Sequence, residues 1–339
     1  MGLEDSLVAI GSPYLLIIGG TSVLVALTTT ILAILRSHGY VKETLFVPVG
    51  INIISIIGNY LFLFGPFGIP VLGVTGVAIS TVIANSIGML IAFYLLKHYI
   101  GFSVNVRSIG EVKWRYAKTI LVMGIPSSGE PLSYAGAQVF ITMFVAMMGT
   151  AELTTKVYTQ NIGQFITLFS IAIGQATAIL VGHLVGGRRA DEAYKQGIRS
   201  WKIGLVFAFG LSTILYLFAE PIISLLTNDP DVIALSKTLF LLTILLEGAR
   251  TTNIVMIGSL NGSGDVKYPV LVGIIVMWVI SLPLAYYFGI VFALGLAGIW
   301  LAFIIDEWLR AGLMLYRWRS RIWTTKAVVF KEDQDHKAI

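Results

Sequence analysis

The chain has 339 residues, of which 56% are hydrophobic and only 12% charged, and its mean hydropathy is +0.86; a soluble domain carries about a quarter charged residues. The net charge of +5 does not point to nucleic acid, because the basic residues fall in short connections between apolar runs, where they act as topology signals. Cysteine is absent, which excludes disulfides and thiolate chemistry, and His38, His98, His183 and His336 are too scattered for a metal site.

Apolar runs of about 20 residues recur along the whole length, the pattern of an all-α polytopic membrane protein. Nine spans are expected, at 10–35, 46–66, 71–97, 119–148, 159–185, 200–226, 233–259, 269–290 and 294–316. Alternate connections hold Arg36 and Lys42, then Lys97, Arg107, Lys113, Arg115 and Lys118. They continue with Arg188, Arg189, Lys195, Arg199 and Lys202, then Lys267, then the tail from Arg317. The other connections offer only Lys156 and Lys237, beside Glu152, Asp229 and Asp231. This bias puts the C-terminus in the cytoplasm of a cell whose plasma membrane the chain crosses. With nine spans the N-terminus lies outside. Led by Glu4 and Asp5, it lacks the basic start of a secretory signal, so further helices are expected ahead of Met1.

A repeat supports that expectation. Leu35-Arg-Ser-His-Gly39-Tyr-Val41-Lys42 is echoed by Leu260-Asn-Gly-Ser-Gly264-Asp-Val266-Lys267. One span later, Leu72-Gly-Val-Thr-Gly76-Val is echoed by Leu294-Gly-Leu-Ala-Gly298-Ile. The two offsets, 225 and 222, differ by one short gap. The first three helices are thus the counterpart of the last three, as in parallel-repeat transporters. The expected organisation is a three-helix second half of an N-terminal lobe at 1–98 and a cytoplasmic linker at 99–118 with Trp114 among bases. A six-helix C-terminal lobe follows at 119–317, then a tail at 318–339.

Four of the 18 acids fall inside spans, Glu130, Glu247, Asp306 and Glu307, with two of the 23 bases, Arg250 and Arg310. Each such charge at a helix centre costs about 2.5–3.5 kcal/mol, so six left uncompensated would cost about 15–20 kcal/mol. They must pair or line a wet cavity. Glu247 and Arg250 (i, i+3) and Asp306 and Arg310 (i, i+4) each share a helix face. Glu130 has no basic partner on its helix. It opens a polar stripe with Tyr134 and Gln138, and Asn161, Gln164 and Gln175 on the next helix complete a polar chamber supported by Asn253 and Glu307. An acid there can take up a proton or a small cation, so Glu130 is the expected ion-responsive group, Glu247 and Asp306 its partners, and Arg250 the setter of their affinity. Gly186-Gly-Arg-Arg-Ala-Asp-Glu192 lacks the Gly-Lys-Ser/Thr ending of a phosphate loop, so no nucleotide is expected. No nucleophile–base pair marks a membrane hydrolase, and no catalytic residue, metal or cofactor is expected.

The ordered stretches Gly124-Ile-Pro-Ser-Ser-Gly-Glu130, Gln175-Ala-Thr-Ala-Ile-Leu-Val-Gly-His-Leu-Val-Gly186, Glu247 with Arg250 and Asn253, Gly264-Asp265, Asp306-Glu-Trp-Leu-Arg310 and Arg317-Trp-Arg-Ser320 resemble the multidrug and toxic compound extrusion (MATE) transporters. The resemblance runs from that family's fourth helix to its twelfth, so the N-terminal lobe is expected to be incomplete. It implies a secondary antiporter exporting amphipathic, often cationic, organic compounds against H+ or Na+ influx by alternating access of two lobes in the bilayer. Some members bind a cation with acids on the seventh and tenth helices. Here Glu130 sits on the matching seventh helix, but position 250, fifteen residues ahead of Asp265, holds arginine. Two other readings accompany this one. The chain is an inactive or split-transporter fragment, with a separate chain supplying the missing helices, or a lipid-linked precursor flippase of related fold.

Overall fold

A computed structural model describes residues 5–68, 70–101 and 114–326. Among them there is no strand, and eleven α-helices follow one another. These are α1 (Asp5–Gly20), α2 (Ser22–Ser37), α3 (Val41–Phe64), α4 (Gly73–Ile100), α5 (Trp114–Ala146), α6 (Thr150–Gly186), α7 (Ala190–Leu217), the short α8 (Ala219–Ser224), α9 (Pro230–Ser263), α10 (Lys267–Val291) and α11 (Gly295–Arg319). Among the described residues six helices are long and apolar enough to cross a membrane, and α1 with α2 makes a seventh, broken span. The long helices α5 and α11 carry the interior charges Glu130 and Asp306, Glu307 and Arg310.

Three expectations about spans need correction. Helix α7 begins at Ala190, ten residues ahead of the expected 200, so that Lys195, Arg199 and Lys202 lie inside a helix and not in a connection. The run 10–35 is two helices that meet at 41°. Gly19 and Gly20 weaken the helix there, and Thr21 and Ser22 donate their hydroxyls back to the carbonyls of Ile17 (2.7 Å) and Gly19 (2.8 Å), a bond that bends helices. Lys156 is not in a connection. It lies inside α6, 4% exposed, and its Nζ donates to Thr142 Oγ1 of α5 at 2.7 Å. The helix begins nine residues early because Thr154 and Thr155 hide their hydroxyls on the carbonyls of Thr150 and Ala151.

The chain divides into two units, Met1–Val112 and Lys113–Ile339. In the first, α3 and α4 pack through small residues. Gly58 lies against Ser80, whose Oγ donates to the Ser55 carbonyl at 3.2 Å, and Gly88 lies against Ile51. A core of Leu32, Leu35, Val47, Ala92 and Leu96 closes one end. Of the expected linker 99–118, residues 99–101 finish α4 and its cap, and Trp114 opens α5 with 70% exposure. Arg107 and Lys113 lie outside the described residues.

In the second unit α9 is the hub, packing on α6, α7 and α11. Its Gly258 and Gly262 touch the backbones of Gly174 and Ala178 on α6, an approach that no side chain permits. One core cluster gathers around Leu239, Leu246, Ile299 and Trp300, another around Met256, Met314, Trp318 and Trp323. The lobe therefore runs past the expected boundary at 317. Trp318 and Trp323 are fully buried and stacked at 4.5 Å, and Trp318 fills the space above Gly197. Residues 327–339 of the expected tail lie outside the described ones.

The repeated motifs fold alike within their own units. Gly39 and Gly264 both cap a helix at φ +92°, the left-handed region glycine tolerates. Tyr40 N–H donates to the Leu35 carbonyl (3.1 Å) as Asp265 N–H does to that of Leu260 (2.9 Å). One span later Gly73 (φ +55°) and Gly295 (φ +59°) open the next helix. Leu72 N–H reaches the Phe62 carbonyl (3.0 Å), and Leu294 N–H reaches that of Phe288 (3.1 Å).

The backbone contact between α9 and α6 sets a stability test. Gly258→Ala drives a methyl into the Gly174 carbonyl and is expected to destabilise the detergent-solubilised protein by about 1–3 kcal/mol. Gly210→Ala meets open space and is expected to be neutral or stabilising by up to about 1 kcal/mol. Denaturation of the two variants side by side checks this.

Candidate functional site

Helical spacing puts Glu247, Arg250 and Asn253 on successive turns of α9, and Asp306, Glu307 and Arg310 on one flank of α11. Because α9 and α11 pack side by side, the two expected pairs become one network. Glu247 is ion-paired to Arg250, and its other oxygen accepts from Thr167 Oγ1 of α6 at 3.5 Å. Asp306 is paired to Arg310 at 2.5 Å. Glu307 joins them: it lies 3.6 Å from Arg250 and 3.1 Å from Arg310, and accepts from Asn253 Nδ2 at 3.0 Å. The bridge crosses from helix to helix, so i, i+3 and i, i+4 spacing does not disclose it.

The network forms one wall of a cavity of about 560 Å3 inside the second unit, within the usual size of a small-molecule pocket. Glu130, Tyr134 and Gln138 of α5 line it together, and so do Asn161 and Gln164 of α6. Asp306 faces a small adjoining recess with Gln138 and Ser281. Gln175 is exposed and is not part of the lining. The spacing argument missed Gln160, which lines both spaces, Thr167, which lines the larger one, and Thr243, which accepts from Trp300 Nε1 at 3.2 Å. Gln160 follows Thr159 and precedes Asn161, and that polar run in an apolar helix was the available signal.

Four carboxyl groups thus face two guanidinium groups, and full ionisation leaves two negative charges unbalanced in an apolar surround. Among the described residues Glu130 has no hydrogen bond or ion pair; its carboxylate packs on the backbone at Gly273. Asp306 Oδ1 and Asn253 Oδ1 are buried acceptors without a partner in the protein. Arginines are threaded among the acids, and among the described residues no group of three or more acids or histidines is placed to hold a metal ion. A proton, a monovalent cation or an organic cation fits such a charge balance.

At one end of the bundle the Gly264-Asp265 turn has a different task. Asp265 pairs with Arg317 at 2.7 Å, and the guanidinium lies 4.7 Å over the Tyr268 ring. The turn between α9 and α10 is thereby tied to α11.

The MatE family model matches residues 126–287, which include all of α6 to α9. The uncharacterized transporter YisQ of Bacillus subtilis is 46% identical over 97% of this chain and 72% of its own length. The probable multidrug resistance protein NorM of Thermotoga maritima is 26% identical over 97% of this chain and 71% of its own. Among solved structures, a multidrug resistance MATE family transporter in an outward-facing conformation superposes with a TM-score of 0.86 at 19% identity, covering 95% of this chain and 71% of that one.

Removing one member of the network separates the roles of its parts. Glu307→Gln removes the carboxylate shared by both arginines while leaving each its pair with Glu247 or Asp306, and is expected to destabilise the protein by about 1.5–3 kcal/mol. Thr167→Val, which loses weak hydrogen bonds, is expected to cost about 1 kcal/mol. Unfolding in bilayer-like bicelles checks the ranking, and equal effects would mean that Glu307 is not the joint.

Proposed function

The chain belongs to the MatE family of transporters, and on that premise we propose that it is a secondary antiporter for amphipathic and cationic organic compounds. It is a multi-pass membrane protein and not an enzyme. The observation that carries the reading is the cavity of about 560 Å3 with its surplus of carboxyl groups. Aromatic and amide side chains there, Tyr134, Gln138, Gln164 and Trp300, offer flat apolar faces and hydrogen bonds to a large organic cation. The relatives named for multidrug resistance support the substrate class.

Glu130 is the group proposed to respond to the coupling ion. Arg250 and Arg310 already neutralise Glu247, Asp306 and Glu307 in part, whereas Glu130 has no basic partner within ion-pair distance among the described residues. Adding a proton to Glu130 removes one of the unbalanced negative charges, which weakens the hold on a cationic substrate and lets the two compete. The proton is preferred to Na+ because Arg250 occupies the space between Glu247 and Glu307 that a bound cation needs. Glu247 and Asp306 set the charge against which Glu130 works, with Asn253 and Glu307 holding the arginines in place. The bias of Lys and Arg among the connections supports a plasma-membrane location with a cytoplasmic C-terminus.

Proteoliposomes preloaded with a fluorescent organic cation test this. Under an imposed proton gradient, Glu130→Gln is expected to cut coupled efflux by roughly 5–150-fold, the usual span of a coupling free energy of about 1–3 kcal/mol. Dye binding without a gradient should weaken, as it does when Glu130 takes up a proton, and should lose that part of its pH dependence. Full coupled efflux by this variant would remove Glu130 from the role, and efflux by the unaltered chain under a sodium gradient alone would assign the ion to Na+.

A further inference from the structure

Away from the cavity, helix α7 presents Lys195, Arg199 and Lys202 at i, i+4 and i+7, three exposed cations on one face. The acids nearest in sequence are engaged by other bases. Glu192 is bound by Arg189, and Asp191 by Arg321 at 2.6 Å. Among the described residues Lys195, Arg199 and Lys202 form no ion pair. Two grooves meet at this face. One, of about 510 Å3, runs along Tyr194, Ile198 and Ile203; the other, of about 460 Å3, is more polar and runs between Leu180, His183 and Leu184 of α6 and Glu192 and Gln196 of α7. Lys195 and Arg199 belong to both.

One turn further the same face changes character. Ile203, Val206 and Phe207 are 44%, 74% and 50% exposed, and the helix is apolar from there on. The opposite face, Ala193, Gly197, Ser200 and Gly204, is buried against the bundle. The boundary between cationic and apolar surface thus falls between Lys202 and Ile203, where a helix passes from headgroups to acyl chains. Charges that serve topology alone need no grooves between them. Here the larger groove combines three cations with the apolar side chains Ile198 and Ile203 and adjoins the exposed apolar face of Val206 and Phe207, which suits a phosphate with hydrocarbon chains attached. A free soluble anion would use the cations and leave the apolar face bare.

From this we infer that the face formed by Lys195, Arg199 and Lys202 is a binding site for an anionic phospholipid, its phosphate held between Lys195 and Arg199 and its chains lying along the exposed apolar face of Ile203, Val206 and Phe207. The site is independent of the transport reading, since none of its residues lines the cavity. Native mass spectrometry of the purified full chain, titrated with phosphatidylglycerol or phosphatidylcholine, tests it. The unaltered chain should retain phosphatidylglycerol selectively. The combined variant Lys195→Gln, Arg199→Gln, Lys202→Gln should lower that retention on the order of 100-fold, and Arg199→Gln alone by about fivefold. A charge-matched variant elsewhere, Arg36→Gln, Lys42→Gln, Lys97→Gln, should keep it. Should the combined variant fold poorly, the single one carries the test. Equal retention of the two lipids, equal loss in the charge-matched variant, or displacement by millimolar glycerol 3-phosphate would overturn the proposal, the last by making it a site for a soluble anion.

Discussion

Glu307 is the residue on which the interior of the second unit depends. Two arginines on different helices in a membrane interior cannot be left to separate partners without exposing part of each charge to a low dielectric. By lying within 3.6 Å of Arg250 and 3.1 Å of Arg310, one carboxylate binds the charge of α9 to that of α11. Burying such charges costs desolvation of the same order as their mutual attraction, so a buried ion pair is weak evidence for stability. What the network does supply is the electrical character of the cavity wall.

The rest of the unit is arranged so that this network holds its geometry. The hub helix α9 approaches α6 at Gly258 and Gly262 with backbone against backbone, which fixes Thr167 within reach of Glu247. Ser170 and Thr251 bond across the same interface at 2.7 Å. Beyond the cavity the stacked pair Trp318 and Trp323 and the ion pair of Asp265 with Arg317 close the end of the bundle. The polar centre lies between two tightly packed hydrophobic clusters.

Hydropathy and charge were enough to locate the long helices, though not the starts of α6 and α7 or the break between α1 and α2, and to collect most of the cavity, because a membrane makes each interior charge conspicuous. Glycines at matched offsets foretold turns whose dihedrals agree within a few degrees. What stayed hidden depended on contacts between helices or on local backbone bonding. Thr21 bends a run that hydropathy reads as straight, and Lys156 looks like a loop residue until Thr142 is seen beside it. Gln175 has the composition of a cavity residue but faces outward. Trp323 reads as tail because the stacking that buries it comes from Trp318.

The twin turns set the framework apart from the charges. At the register that matches Gly39 to Gly264, Glu247 and Arg250 correspond to Ser22 and Val25; at the register of Gly73 and Gly295, the residues Asp306, Glu307 and Arg310 correspond to Ala84, Asn85 and Gly88. The two segments share their turns and the hydrogen bonds made there, while the interior charges stand in the second segment alone. The left-handed glycines thus serve the framework of both, and the framework is compatible with an uncharged interior as well as a charged one.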